Sequence, residues 1–126
     1  MSLRNLEAIE KFVKTGSDID FPISLWSKNK ETGEKIAVDI AQQELKFDCS
    51  FFDNKGKKLA DATITPIAGT INFLIVSVSK AETKKWKPCE NAKFDFRVSN
   101  SATGKTIYSK TIEFDIEKGL SQGSNQ

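Results

Sequence analysis

The chain has 126 residues, which is enough for one domain with a hydrophobic core that needs no metal or disulfide to stabilise it. Its formal net charge of +2 is too small to predict attraction to nucleic acid or to an anionic membrane. Histidine is absent from the sequence, which excludes the usual zinc motifs and the Ser–His and Cys–His catalytic pairs.

Two further features concern the compartment in which the chain starts. No apolar run approaches the roughly 18 residues of a membrane-spanning helix, and the N-terminus lacks the pattern of a secretory signal, so we expect a soluble, cytosolic chain. Cys49 and Cys89 are 40 residues apart. Their separation suits a disulfide between two sheets, but a reducing compartment favours two free thiols.

The N-terminal segment is ambiguous, because its apolar residues between Leu6 and Val13 fit a helical stripe as well as a short strand. We predict a first strand over residues 8–14, following an N-terminal extension at residues 1–7. The first three residues could be the remnant of an expression vector.

Residues 19–27 alternate and predict a strand whose odd positions from 19 to 25 are apolar. Pro22 and Trp26 lie on its other side. Because proline lacks the N–H that a central strand donates, Pro22 predicts an edge strand or a bulge. Two interpretations of Trp26 remain open. It either covers the end of the fold under a loop or contacts a partner subunit.

A polar loop at residues 28–35 predicts a reversal of the chain, and residues 45–51 predict a strand with one side in the core. Phe52 follows that strand on its polar face. After a Gly-containing turn at residues 53–58, the Thr- and Ala-rich residues 59–65 predict a weaker edge strand that ends at Pro66.

Residues 71–78 are apolar on both faces, which predicts a central strand. Ser79 and Glu82 have the spacing of a capping box, so one or two helical turns should follow and end before Pro88.

Residues 92–98 alternate again and predict a strand with Phe94 and Phe96 in the core, and a turn at residues 100–105 follows. The pattern then predicts a last strand in which five side chains share one face, and a flexible polar tail at residues 117–126. The five side chains are those of Tyr108, Lys110, Ile112, Phe114 and Ile116.

These elements predict an all-β fold, an immunoglobulin-like β-sandwich of about seven strands with one short helical turn near residues 80–86. The sandwich domain should span residues 8–116.

The search for chemistry finds no convergent acids, no metal-ligand spacing and no phosphate loop, so we expect no enzyme, no catalytic residue, no metal and no cofactor. Most phenylalanines fall on inward faces and predict core packing. The candidate partner-binding residues are therefore Pro22, Trp26 and Phe52.

Three runs carry a resemblance to a known family: "TGSDIDFPISLW", "ETGEKIAVDIAQQELKFDCSFFDNKGK" and "TITPIAGTINFLIVSVSKAETKKWKPCENAKFDFRVSNSATGKTIYSKTIEFDIE". Within them, the residues that fit the family pattern are Gly16 to Asp18, Val38 to Ile40, Ser79 to Thr83 and Phe94 to Phe96. Over residues 15–116 the chain resembles the small immunoglobulin-like proteins encoded among bacteriophage and prophage tail and baseplate genes. It is similar in outline to the N-terminal domain of phage baseplate upper proteins.

That resemblance implies a non-enzymatic tail or baseplate component that assembles with other phage structural proteins or with itself. It implies a location in the virion, or in the host cytoplasm before assembly. The alternative is a free-standing immunoglobulin-like module that binds a surface glycan or protein. Neither the phage interpretation nor the alternative leads us to expect nucleic acid, a membrane or a small-molecule substrate as a partner.

Overall fold

The computed structural model describes residues 2–4, 12–109 and 111–120. Two antiparallel-rich sheets pack face to face as the predicted immunoglobulin-like β-sandwich, with one short helix. The strands of the first sheet are β1 (Ser2–Arg4), β3 (Ile19–Lys28), β4 (Lys35–Ala37), β7 (Thr63–Pro66) and β8 (Phe73–Val78). Those of the second sheet are β2 (Phe12–Lys14), β5 (Leu45–Phe52), β6 (Lys58–Asp61), β9 (Cys89–Asn100), β10 (Thr106–Tyr108) and β11 (Ile112–Glu117).

The pairing order defines the topology of the sandwich. The first sheet has the order β1-β3-β8-β7, with β4 also paired to β3, and the second has the order β2-β11-β9-β5-β6, with β10 also paired to β9. The first order matches strands A, B, E and D of immunoglobulin domains, and β5, β9 and β11 take the places of strands C, F and G.

The core forms where the inward faces of the two sheets meet. Phe51, Phe94 and Phe96 are fully buried, as alternation predicted, because every second side chain of a strand points to the same face. Phe51 and Phe94 stack with ring centroids 4.9 Å apart, and Phe21 on the first sheet reaches Phe94 at 6.1 Å. Ring contacts therefore join the sheets where many immunoglobulin domains have a disulfide.

Three predicted strands are confirmed within one or two residues, namely β3, β5 and β8, and a fourth, β9, is confirmed but begins three residues before its predicted start. The central position of β8 is also confirmed, since β8 lies between β3 and β7. A hairpin loop joins β3 to β4, where Gly33 has a φ of 74° that favours glycine.

The strand predicted at residues 59–65 is two strands. β6 pairs with β5 in the second sheet, whereas β7 pairs with β8 in the first. The chain changes sheets at Ala62, whose N–H still donates to the Cys49 carbonyl at 2.8 Å. Both pieces are terminal strands in the described order, as an edge strand should be.

The predicted shared face of the last strand is wrong for Tyr108. Ile107 pairs with Val98 and Ile112 with Phe94, so the chain advances five residues on one strand and four on the other. Tyr108, which pairs with Arg97, therefore lies on the outer face, opposite to Ile112. Lys110, which was predicted on the same face, lies outside the described residues.

The predicted capping box is also wrong, although a short helix, α1 (Lys80–Thr83), does follow Ser79. The Ser79 side chain makes no capping bond. Instead, the Asp18 carboxylate accepts the Lys80 N–H at 2.7 Å, and the Ser79 carbonyl accepts the Glu82 N–H at 3.0 Å. A side chain distant in sequence therefore caps the helix.

Segments near both ends of the chain take part in the sandwich. Residues 2–4 of the predicted extension form β1 and pair with β3, and β2 pairs in parallel with β11. The rest of the ambiguous segment, residues 5–11, lies outside the described residues. Glu117 ends β11, and the Gly119 N–H donates to the Thr15 hydroxyl at 3.1 Å, which anchors the start of the predicted tail.

The two cysteines are free thiols, as predicted for a reducing compartment. Cys49 pairs with Phe96 on β9, and Cys89 lies seven residues earlier on that strand, or roughly 23 Å away at the usual rise of a strand. A disulfide between them is geometrically impossible in this fold.

The only helix among the described residues, α1, has four residues. None of the described helical structure is long and apolar enough to cross a membrane.

Candidate functional site

Trp26 lies on the outer face of the first sheet, opposite the core. Its indole N–H donates to the Ser24 hydroxyl at 2.8 Å, and the side chain is half-buried. In register it lies between Ser2 of β1 and Ala37 of β4.

Pro22 shares this outer face, for a reason that the sequence did not reveal. Leu25 donates its N–H to the Asn72 carbonyl at 3.0 Å, and hydrogen-bonded pairs alternate along an antiparallel ladder. Pro22 and Ile75 therefore form a non-hydrogen-bonded pair. At such a position β3 donates no N–H to β8, so proline is tolerated there. The prediction of an edge strand needs correction, because β1 pairs with β3 from Ser24 to Trp26.

The neighbours of these two residues on β3, β7 and β8 are uncharged, whereas Arg4 of β1 pairs with Ser24. The cross-strand pairs place Ile75 beside Pro22, Phe73 beside Ser24 and Thr65 beside Ile75. Phe73 is 37% exposed. We call this surface the neutral face and define it by Pro22, Ser24, Trp26, Thr65, Phe73 and Ile75.

Charged residues mark the two ends of the neutral face along β3. Asp20, which pairs with Ser77, lies at one end. Lys28 and Lys35, which pair with each other, lie at the other end. The neutral face is therefore an apolar strip with an acidic end and a basic end.

The outer face of the second sheet has a different character, since charged side chains cover it. Arg97 binds the Asp48 carboxylate at 2.6 Å, and this bond raises the pKa of the Arg97 guanidinium further above its ordinary value. The Asp61 carboxylate accepts a hydrogen bond from the Ser50 hydroxyl at 2.6 Å, and this bond lowers the pKa of the Asp61 carboxyl. A solvated sheet has this pattern.

Phe52 lies on this charged outer face, so the structure does not bring it together with Pro22 and Trp26. It is half-buried and pairs with Lys93 on one side and Lys58 on the other. It lines a shallow depression whose other side chains include Asp95 and Tyr108.

Sequence reasoning missed three contributors to these surfaces. Phe73 and Ile75 belong to the neutral face, and the signal for them was present, because residues 71–78 are apolar on both sides. Tyr108 belongs to the depression, and no sequence signal could have placed it there, since its orientation depends on its register against β9.

Across residues 2–4, 12–109 and 111–120, no group of three or more His, Cys, Asp and Glu side chains is arranged to hold a metal ion. The expected absence of catalysis stays a prediction. No protein-family model matches the chain, and no curated protein matches it significantly.

Proposed function

We propose that this chain is a non-enzymatic assembly protein that docks onto other protein subunits through the neutral face. The observation that carries the proposal is the contrast between the two outer faces of the sandwich. One is covered with ion pairs, whereas the other presents Trp26, Phe73 and Pro22 without a charge among them.

An uncharged strip of this kind is costly to leave in water. Exposed apolar surface that is contiguous, and bordered by polar residues, is typical of a protein-binding site. Tryptophan is the residue most enriched among the side chains that dominate binding energy, because it buries a large rigid area. Trp26 is held by its bond to Ser24, so little side-chain entropy is lost on docking.

The resemblance to tail and baseplate proteins supplies the biological setting of the proposal. In that setting the chain is a small structural component of a phage or prophage particle, and its partners are other virion proteins.

Incorporation into particles tests this proposal. Particles purified after induction of the source phage or prophage should contain the chain by mass spectrometry. The Trp26→Ala and Phe73→Ser variants, supplied in place of the native chain, should enter particles at least about tenfold less efficiently.

The matched control is Phe12→Ser, because Phe12 is 39% exposed and Phe73 37%, but Phe12 lies on the second sheet. This control should enter particles normally. Trp26→Ala should reduce the free energy of unfolding by about 1 kcal/mol or less, since the indole lies outside the core. Absence of the native chain from intact particles would refute the proposal, and a large loss of stability in Trp26→Ala would support the loop-covering interpretation.

A second candidate function is glycan recognition at the depression on the second sheet. Tyr108 is 61% exposed there, and the half-buried Asp95 carboxylate has no hydrogen-bond or ion-pair partner in the described part of the chain. A carboxylate accepts hydrogen bonds from the hydroxyl groups of a sugar. An exposed aromatic ring can pack against the apolar face of a sugar ring.

Saturation-transfer NMR with neutral oligosaccharides tests this second function. Binding in the millimolar range, weakened about tenfold by Tyr108→Ala and unchanged by the neighbouring Ile107→Ala, would support it. If no oligosaccharide binds, the depression is not a glycan site.

A further inference from the structure

We propose that the depression on the second sheet binds a sugar that carries a protonated amino group, and that Asp95 recognises this group. The inference rests on the second candidate function, because it names the class of glycan that the depression takes. Three observations carry it: the hydrogen-bond acceptors at the centre of the depression, the pairing of the charges around them, and the aromatic side chains on either side.

The register of the strands places Asp95 at the centre of the depression. Asp95 pairs with Ser50, and Ser50 pairs with Asp61 on its other side, so the three side chains form one row across the outer face. On the far side of this row, Asp95 and Thr111 line a smaller depression of about 220 Å³. The larger depression encloses about 510 Å³, which is within the range of small-molecule sites.

The groups at this centre accept hydrogen bonds but have none to donate. The Asp95 carboxylate is an acceptor only, and no donor in the described part of the chain is bonded to it. The Ser50 hydroxyl has one hydrogen, which it donates to Asp61 at 2.6 Å, so its oxygen offers only lone pairs to a ligand. An ammonium group is a donor only, with three hydrogens, whereas hydroxyl and acetamide groups are both donors and acceptors. The centre of the depression therefore matches an ammonium group.

The charged side chains around Asp95 are arranged so that its carboxylate is left without a counter-charge. Among the described side chains of this surface, each cation is beside a carboxylate of its own: Arg97 beside Asp48 at 2.6 Å, Lys58 beside Asp61 at 3.0 Å, and Lys93 beside Glu113 as a cross-strand pair. A single positive charge on the ligand therefore completes the pairing, which favours a cationic ligand over a neutral one.

Two further groups of lysines lie close to this surface without changing the balance at Asp95. Lys55 and Lys57 belong to the turn around Asp53, whose carboxylate accepts the backbone N–H of each at 2.9 Å. Lys46 lies four residues along β5 from the row of Asp95, or roughly 13 Å away at the usual rise of a strand.

Aromatic side chains flank the acceptors along the strands. Tyr108 pairs with Arg97, two residues from Asp95 in one direction, and Phe52 pairs with Lys93, two residues away in the other. Sugar rings pack their apolar faces against aromatic rings, whereas the lysine of a partner protein offers only its methylene stem. The aromatic side chains therefore favour an amino sugar over a lysine as the source of the ammonium group.

Three disaccharides of the same linkage test the inference on the native chain. Those of glucosamine, N-acetylglucosamine and glucose differ only in one substituent of each ring, which is an ammonium, an acetamide or a hydroxyl group. In NMR titrations at mildly acidic pH, where the amine is protonated, the glucosamine disaccharide should bind about tenfold more tightly than the other two. A capped lysine amide, which carries the ammonium group without a sugar, should bind at least about tenfold more weakly than the glucosamine disaccharide.

Asp95→Asn keeps the shape of the side chain and removes its charge. It should abolish the preference for the glucosamine disaccharide and change the affinity for the glucose disaccharide by less than about twofold. Asp20→Asn is the matched control, because it makes the same change at an exposed position on the first sheet, and it should leave the preference intact. Circular dichroism of each variant shows whether it is folded.

Different results would overturn the inference and the second candidate function. Equal affinities of the native chain for the three disaccharides would refute the inference and leave glycan recognition in place. If none of the three binds, both are wrong. Equal binding of the capped lysine amide would identify a lysine of a partner protein as the ligand, and a preference that persists in Asp95→Asn would exclude Asp95 as the group that recognises the amine.

Discussion

Phe94 and Phe96 provide a direct measure of how much ring contacts stabilise this core. Both are on β9, both face inward, and their exposures are 1% and 0%. They differ in their ring neighbours. Phe94 contacts three rings, at 4.9, 6.0 and 6.1 Å, whereas Phe96 contacts one, at 5.9 Å.

Substituting leucine at either position keeps a large apolar side chain and removes only the ring. Two additional aromatic pairs are lost in Phe94→Leu, and each pair stabilises a fold by about 0.5–1.5 kcal/mol beyond its buried area. We therefore expect Phe94→Leu to lower the free energy of unfolding by about 1–3 kcal/mol more than Phe96→Leu does.

Equilibrium unfolding in urea measures this difference, provided that both variants keep the native dependence on denaturant concentration. Equal losses of stability in the two variants would refute the reasoning. That result would mean that buried area alone, and not ring geometry, determines the stability of this core.

Three further predictions concern single positions. Trp86→Phe should change the free energy of unfolding by less than about 1 kcal/mol, because it removes a buried indole N–H that has no acceptor among the described residues, whereas Trp86→Ala should cost about 3–5 kcal/mol in the same denaturation assay. Burial raises the pKa of the Cys49 thiol to about 12, so only Cys89 should react with a thiol reagent in the native protein at mildly alkaline pH. Mass spectrometry after denaturation without reductant should then count two alkylated cysteines, and a count of none would contradict the free thiols. Finally, backbone N–H groups, above all that of Lys57, lower the pKa of the Asp53 carboxyl in the folded state. The ionised carboxylate therefore stabilises the fold above its ordinary pKa of 3.8, and this stabilisation is lost as the pH falls through the lower pKa of the folded state. Asp53→Asn should flatten this acidic part of the pH dependence of the melting temperature, and an unchanged profile would exclude the effect.

Most of the fold could be predicted from the sequence, because alternation along β3, β5 and β9 reports which face of each strand is buried. Alternation does not report which sheet a strand joins. Residues 59–65 were predicted as one strand for that reason, because no local pattern at Ala62 indicates that the chain crosses to the other sheet.

Features that depend on distant residues were beyond prediction. The helix α1 begins at a cap from Asp18, 62 residues before the N–H that it binds, so a local motif at Ser79 was the wrong place to look. Tyr108 and Ile112 lie on opposite faces because β10 and β11 differ in register, which is visible only when both strands are aligned with β9.

The candidate site could be predicted only in part. Pro22 and Trp26 were found because each breaks the pattern of its own strand, which a single strand reveals. The neutral face and its charged ends were not found, because they arise from cross-strand pairs between β3, β4, β7 and β8. Phe52 was selected by the same rule but belongs to the opposite surface.

The parallel pairing of β2 with β11 has a mechanical consequence. β2 lies near the start of the chain and β11 near its end, and the two strands run in the same direction. Tension between the chain ends therefore shears β2 and β11 along their length. All hydrogen bonds between the two strands are then loaded at the same time, including that from the Thr15 N–H to the Glu117 carbonyl at 2.8 Å. Bonds loaded in shear must break at once, whereas bonds in a peeled hairpin break one after another. Once β1 has detached, the sandwich should resist stretching along its length far better than prying at the terminal strand β7.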